Sequence, residues 1–282
     1  VHILNVSFLV PQLRREFGGC AGNIAYNLKL LGGDGKAMGT VGEDFAPYAR
    51  RLDSLSISRD HIRVIPGTYT AQAYITTDLD DNQITAFHPG AMNESHQNRI
   101  AEAKGTSLVL VSPDGRQGMI QHAEDCAAAG IPFIFDPGQG MPMFDGEALN
   151  HFAAQASYLA FNDYEAQLMQ DRTGKSLQQL AHKAKAVIVT KGGEGSEIYT
   201  KECSYQIPAA PVRQLADPTG CGDAYRAGLI YGIMQGLDWA LTGRIAGLMG
   251  AIKIESQGTQ NHTFTKGEFE ARFKEAYGIE MR

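Results

Sequence analysis

The sequence predicts an α/β protein built on a mostly parallel central sheet with helices on both faces. Short apolar runs at Ser107–Val111, Pro132–Asp136, Tyr158–Phe161 and Ala186–Thr190 alternate with helical patterns, and a strand buried on both faces reads as an unbroken apolar stretch. The chain, at 282 residues, is long enough for one large domain with a sizeable core. Its 43% hydrophobic and 20% charged residues are the balance of an ordinary water-facing protein, not of a disordered or membrane-embedded one.

The elements follow in order. His2–Ser7 reads as a short strand, entered at Val1 without a methionine, and a helix runs from the glycines at 18–22 through Leu31. Arg63–Ile65, Thr70–Thr77 and Gln83–Phe87 read as further short strands, the last two joined by an Asp/Asn-rich turn at Asp78–Asn82. A small sheet of this kind either covers a site or is an ordinary edge hairpin. The βα units come next: Ser107–Val111 with a helix through Met119–Ala129, Pro132–Asp136 with another, and Tyr158–Phe161 with a third beginning near Asn162. Ala186–Thr190 ends in a Gly-rich loop. Leu241, Ile245, Leu248, Met249 and Ile252 share one face of a closing helix. A loop at Gln257–Gln260 then leads to a last amphipathic helix around Phe269–Tyr277. Ligands of such sheets sit beyond the carboxyl ends of the strands. That singles out Pro113–Asp114, Asp136–Gln139, Asn162–Glu165, Thr190–Gly195 and Asp217–Asp223.

Composition excludes several function classes. A net charge of −6 and a pI near 5.8 argue against nucleic acid or an anionic membrane as partner. No apolar run has membrane-spanning length and no signal peptide is visible. Cys20, Cys126, Cys203 and Cys221 show no CxxC spacing and read as reduced thiols of a cytoplasmic protein. Gly174-Lys175-Ser176 has the tail of a phosphate-binding P-loop, but Met169 stands where its first glycine belongs.

The most informative stretch is Asp217–Ile233, DPTGCGDAYRAGLIYGI. Pro218 biases Asp217 away from helical geometry, Thr219 is a candidate N-cap, and Tyr225, Leu229 and Ile233 recur at helical spacing. Gly228, Gly232 and Gly236 form a bare ridge suited to close packing. The first turn then offers the N–H groups of Gly220, Cys221 and Gly222 to an anion, with the positive end of the helix behind them. Asp223 stands where an anion would be repelled. It either helps to cap the helix or takes a proton from a nucleophile approaching the anion, the arrangement of phosphoryl transfer.

A second pattern lies upstream, FGGCAGNIAYNLKLLGGDGKAMGTVGEDF at Phe17–Phe45. In this order and at this separation, the two resemble the paired signatures of the ribokinase-like (phosphofructokinase B type) family of carbohydrate and nucleoside kinases, over nearly the whole chain. The resemblance implies a Rossmann-type sandwich as a single domain, 1–282, with a discontinuous β lid from about 1–17 and 61–90. It implies Asp223 as base, with Gly220, Cys221 and Gly222 as anion hole. Gly18, Gly19 and Asn23 would hold sugar hydroxyls. Asn162 and Glu165, in NDYE, match an N-x-x-E motif tied to Mg²⁺, which competes with a simple capping pair. Thr190, Gly192 and Gly195, with Thr219, would serve the nucleotide, against a plain β-hairpin turn for the first three. Phe87 would stack on a base and Gln139 read its edge, since ITTDLDDNQITAFHPGAM and FDPGQG look most like bacterial adenosine and broad nucleoside kinases. Lys191 could screen phosphates, and Arg226 could reach transferred phosphate or pair with an acid.

The expected activity is ATP- and Mg²⁺-dependent phosphorylation of a nucleoside 5′-hydroxyl. A ribose or fructose kinase is the alternative, and a catalytically silent nucleoside or sugar sensor a third reading. Potassium activation is expected from the Asp217 and Thr219 matches, and pairing of two chains from exposed lid strands. Family members open with a strand carrying a sugar-binding Asp, which is expected to precede Val1 in the natural protein.

Overall fold

The computed structural model describes residues 9–77 and 83–281; the His2–Ser7 strand and the Asp78–Asn82 turn lie outside them. Six strands form the main sheet: β5 (Val109–Val111), β6 (Phe133–Phe135), β7 (Tyr158–Asn162), β8 (Ala186–Thr190), β9 (Ser196–Tyr199) and β10 (Ser204–Ile207). They lie side by side in chain order, β5 to β8 parallel and the last two antiparallel. The antiparallel edge begins at the β-hairpin turn that the sequence offers as one reading of Thr190–Gly195. Its sequences, SEIY and SYQI, are short and polar enough to pass for loop.

Strand alternation explains why the core strands are apolar throughout. Phe133, Phe135, Leu159, Phe161, Val187 and Val189 point to one face of the sheet, where they meet Met119, Phe152, Met169 and Leu180. Ile134, Ala160, Ala186 and Ile188 point to the other face, against Tyr225, Leu229 and Ala246. The first face is covered by α3 (Arg116–Ala129), α4 (Gly146–Gln155), α5 (Asp163–Thr173) and α6 (Leu177–Ala181). The second is covered by α7 (Cys221–Met234) and α8 (Trp239–Ile254), with α9 (Lys266–Tyr277) packing Phe269 and Phe273 onto α8.

Helices α7 and α8 cross closely because α7 has no side chain at the crossing. A Cβ on Gly228 would lie 2.6 Å from the Ala246 Cα, and one on Gly232 2.5 Å from the Thr242 hydroxyl. Gly236 does not extend that ridge; it follows the helix end with φ 66°.

Near the front, α1 (Cys20–Leu30) leads to β1 (Met38–Val41) and α2 (Ala46–Ser54). β1 pairs in parallel with β2 (His61–Val64), so the Arg63 strand does not join the hairpin as expected. The hairpin is β3 (Gln72–Thr77) with β4 (Gln83–His88), and it leaves Tyr74, Ile75, Ile84 and Phe87 exposed. Residues 9–17 are irregular and add no strand. The lid sheet among the described residues is thus smaller than the sequence suggested. Its root is fixed by Asp44, which accepts from the Thr70 N–H at 2.7 Å and the Gln72 side-chain amide at 2.8 Å.

Candidate active site

The carboxyl ends of the parallel strands lie in one row. Asn162 is in register with Thr190, and Asp136 follows directly on β6. The starts of α1 and α7 converge on this row. Gly220, with φ 83°, turns the chain into α7, and Gly19, with φ 90°, does the same for α1; both conformations disfavour a side chain. Thr219 is therefore not the N-cap. Its N–H instead donates to Asp217 Oδ1 at 2.9 Å.

Of the three amides assigned to the anion hole, that of Cys221 is engaged by the Pro218 carbonyl at 3.2 Å. No acceptor among the described residues takes the N–H of Gly220 or Gly222. These two remain available to an anion. Burial pushes the Cys221 thiol up to about 11, so this residue offers no thiolate at neutral pH.

Asp223 lies in the first turn of α7, and its Oδ2 accepts from Asn23 Nδ2 at 2.8 Å. This contact joins the two upstream and downstream signatures, 200 residues apart. Burial raises the Asp223 carboxyl to about 6; Asn23 works against that, and the nearby Asp136 carboxylate adds to it. A carboxylate so perturbed within a cleft of amides suits a general base.

Asn23 is oriented in turn. Its Oδ1 accepts from Gln260 Nε2 at 2.9 Å, and the same amide donates to the Tyr48 hydroxyl at 2.6 Å. Thr259 donates to the Phe17 carbonyl at 2.6 Å, just before Gly18 and Gly19. The loop at 257–260 thus buttresses the glycine pair and Asn23 together. In the sequence the loop reads only as a connector, because its partners are distant in the chain.

Arg226 faces Asp136. The pair is bidentate, at 2.8 and 3.1 Å, and both side chains are buried. Burial alone would lower the guanidinium, but Asp136 more than offsets it and the net direction is upward. An arginine within an otherwise apolar helix was the available signal.

Asn162 and Glu165 form a reciprocal cap on α5. Glu165 Oε2 accepts from the Asn162 N–H at 2.8 Å, its Oε1 from Asn162 Nδ2 at 2.9 Å, and Asn162 Oδ1 accepts from the Glu165 N–H at 2.7 Å. Burial pushes Glu165 upward. No cluster of three or more metal-ligating side chains occurs among the described residues. The pair fits a hydrated ion that arrives with nucleotide phosphates rather than a protein-built metal cage.

Thr190 closes β8, and Gly192 and Gly195 lie in the tight turn to β9, with Lys191 N–H donating to the Gly195 carbonyl at 2.8 Å. A Cβ on Gly195 would fall 2.1 Å from the Ile207 carbonyl, so backbone packing alone demands this glycine. Lys191 pairs with Glu197 at 2.8 Å. Gln139 is exposed beyond β6, and Phe87 is half-exposed on the hairpin. Neither touches the Asn23–Asp223 pair in any hydrogen bond or ring contact described.

Below the anion-hole turn lies a side chain that the sequence reading passed over. Lys253, in the last turn of α8, is fully buried and donates to the Asp217 carbonyl at 2.7 Å and the Ser256 carbonyl at 3.1 Å. A lysine between Ile252 and Ile254 on a buried helix was the visible signal.

A carboxylate beside free amides at a helix start, at the carboxyl edge of a parallel sheet, is an arrangement suited to group transfer from an anionic donor. The chain belongs to the pfkB family of carbohydrate kinases, a family of phosphotransferases with a hydroxyl acceptor, whose pattern it matches over residues 3–266. It is 31% identical to a nucleoside kinase of Methanocaldococcus jannaschii over 261 residues, 92% of this chain and 85% of that protein. The Burkholderia thailandensis nucleoside kinase in complex with inosine superposes with a TM-score of 0.95 at 56% identity, covering 99% of this chain and 92% of that one. The same protein in complex with ADP-inosine gives a TM-score of 0.92, with 99% and 88% covered. No helix of the described residues is long and apolar enough to cross a membrane.

Proposed function

We propose that this protein is an ATP-dependent kinase that phosphorylates the 5′-hydroxyl of a nucleoside. The observation that carries phosphoryl transfer is the 2.8 Å contact between Asn23 and Asp223, which puts a raised carboxyl between a polar helix start and two free amides. The likeness to a nucleoside kinase in complex with inosine supports a nucleoside as the acceptor.

In this mechanism the ribose rests on Gly18, Gly19 and Asn23, with its 5′-hydroxyl toward Asp223. Asp223 removes the hydroxyl proton as the oxygen attacks the γ-phosphorus of ATP. The N–H groups of Gly220 and Gly222 face the charge developing on the transferring group. Cys221, its own N–H drawn to Pro218, contributes by holding the turn between them. Mg²⁺, positioned through water by Asn162 and Glu165, would neutralise phosphate charge. The Thr190–Gly195 turn and Thr219 border the nucleotide, while Gln139 and Phe87 approach the base once the hairpin lid closes and excludes water.

The deciding experiment is ADP release measured over adenosine, inosine, guanosine, cytidine, ribose and fructose. Nucleosides are expected to give the higher kcat/KM, with a 5′-phosphorylated product. Preference for free ribose or fructose would move the chain to the sugar kinases, and tight nucleoside binding without product would make it a sensor.

On the hairpin Tyr74 and Ile84 share one exposed face and Ile75 and Phe87 the other; in this reading two copies pair, in the cytoplasm, through the Tyr74–Ile84 face, leaving Phe87 for the base. Sedimentation at micromolar concentration is expected to give a dimer; a monomer at every concentration removes that part.

A further inference from the structure

The sequence led to an expectation of potassium activation at Asp217 and Thr219. The residues present do not fit such an ion. A positive charge already stands there: the Asp217 carbonyl accepts from the buried Lys253 Nζ at 2.7 Å, so a second cation beside it would be repelled, while Oδ1 and Oδ2 accept from the Thr219 and Gly258 N–H groups, each at 2.9 Å. The Ser256 carbonyl accepts from the same ammonium at 3.1 Å.

A lysine with no exposed surface is rare unless its charge is compensated. Here compensation comes from two backbone carbonyls, from the neighbouring Asp217 carboxylate, and from the carbonyl end of α8. Two carbonyls and a nearby carboxylate turned toward one positive charge are oxygen groups of the kind that ligate a monovalent cation. The ammonium is joined to both loops of the site. Asp217 begins the turn that ends in Gly220, and Ser256 begins the segment whose Gly258, Thr259 and Gln260 brace Asp217, Phe17 and Asn23.

We propose that the Lys253 ammonium is a built-in monovalent cation, which holds the Asp217–Gly220 turn so that the Gly220 and Gly222 amides face the transferring phosphoryl group, and which makes the enzyme independent of potassium. Lys253 is a positioning residue, acting through the turn. Its catalytic part rests on the phosphoryl-transfer reading of that turn; its cation-replacing part does not.

Wild-type turnover is expected to be the same in sodium and potassium at equal ionic strength. Lys253→Ala removes the charge and opens space for an ion. Its kcat is expected to fall about a hundredfold, the scale of losing an aligned oxyanion donor, with nucleoside KM little changed. Potassium or ammonium should restore much of that loss, and lithium should not. Lys253→Met, which removes the charge but fills the space, should lose kcat without rescue by any of these ions.

A second measurement is independent of activity. The melting midpoint of Lys253→Ala should climb with potassium concentration, as binding to the folded state demands, while that of the wild type stays flat against matched lithium. Activation of the wild type by potassium overturns the proposal, as does a Lys253→Ala protein with unchanged kcat, or one whose kcat and midpoint both ignore potassium. If Lys253→Ala folds in neither salt, Lys253→Met decides: lost kcat with retained KM supports the role, and unchanged kcat overturns it. If the wild type phosphorylates nothing, the kinase reading fails, and the potassium-dependent midpoint still tests the cation replacement.

Discussion

Replacing Asp223 with asparagine is expected to lower kcat by roughly 10²–10⁴-fold, the usual contribution of a positioned general base, while nucleoside binding is retained. The side chains are nearly isosteric, and the amide oxygen of the substitute can still accept from Asn23 Nδ2, which lies 2.8 Å from the native carboxylate. What is lost is the capacity to take a proton. Unfolding does not explain such a loss. Burial raises the folded Asp223 carboxyl to about 6 from an ordinary value near 4, so ionising it costs the folded state. That cost is absent below the unfolded value and grows as pH rises through about 6. Asparagine never ionises, so the variant should melt at or above the wild-type midpoint at neutral pH. The same carboxyl sets the rate profile: wild-type kcat/KM should rise with pH around a midpoint near 6 and then level off. A single-turnover rate for Asp223→Asn close to that of the wild type removes the base assignment. A profile flat through that region removes the titration.

The largest stability effect is expected at Arg226. Arg226→Met leaves Asp136 buried beneath α7 with no counter-charge, and breaking a buried pair in this way costs about 3–5 kcal/mol. For a chain of this size that is a fall of roughly 10 °C in melting midpoint. Replacing both partners, Arg226→Met with Asp136→Leu, should recover much of the loss, because two well-packed apolar side chains need no compensation. A double variant less stable than the single one would show that the pair does more than neutralise itself. The single change has a second consequence. Asp136 already pushes the Asp223 carboxyl upward, and removing Arg226 takes away the guanidinium charge that opposes it. The midpoint of the pH–rate profile should then move to higher pH. An unmoved midpoint would mean that Asp223 does not sense this pair.

Together these effects describe a site whose reactive carboxyl is tuned by groups on three elements. Asn23 on α1 and Arg226 on α7 favour the ionised form, whereas burial and Asp136 at the end of β6 disfavour it. Gln260 holds Asn23, and Lys253 holds the turn that precedes Gly220. In the proposed mechanism the chemistry sits on a helix start, and its support comes from the loop after α8.

The sequence by itself determined the class of fold, because unbroken apolar strands between helical repeats can be buried only in a sheet covered on both faces. It also determined the two glycine-led helix starts, Gly18–Asn23 and Gly220–Asp223, since glycine and a following polar residue are local signals read within a few positions. Only the tertiary structure decided which amides are free, which charges are paired and which cation is internal. Pro218 taking the Cys221 N–H, Asp136 meeting Arg226 and Lys253 reaching Asp217 each depend on an angle of approach between segments. Such angles are set by side-chain packing summed over the whole core, most sharply where Gly228 lets α7 close onto Ala246, and no local stretch of residues encodes them.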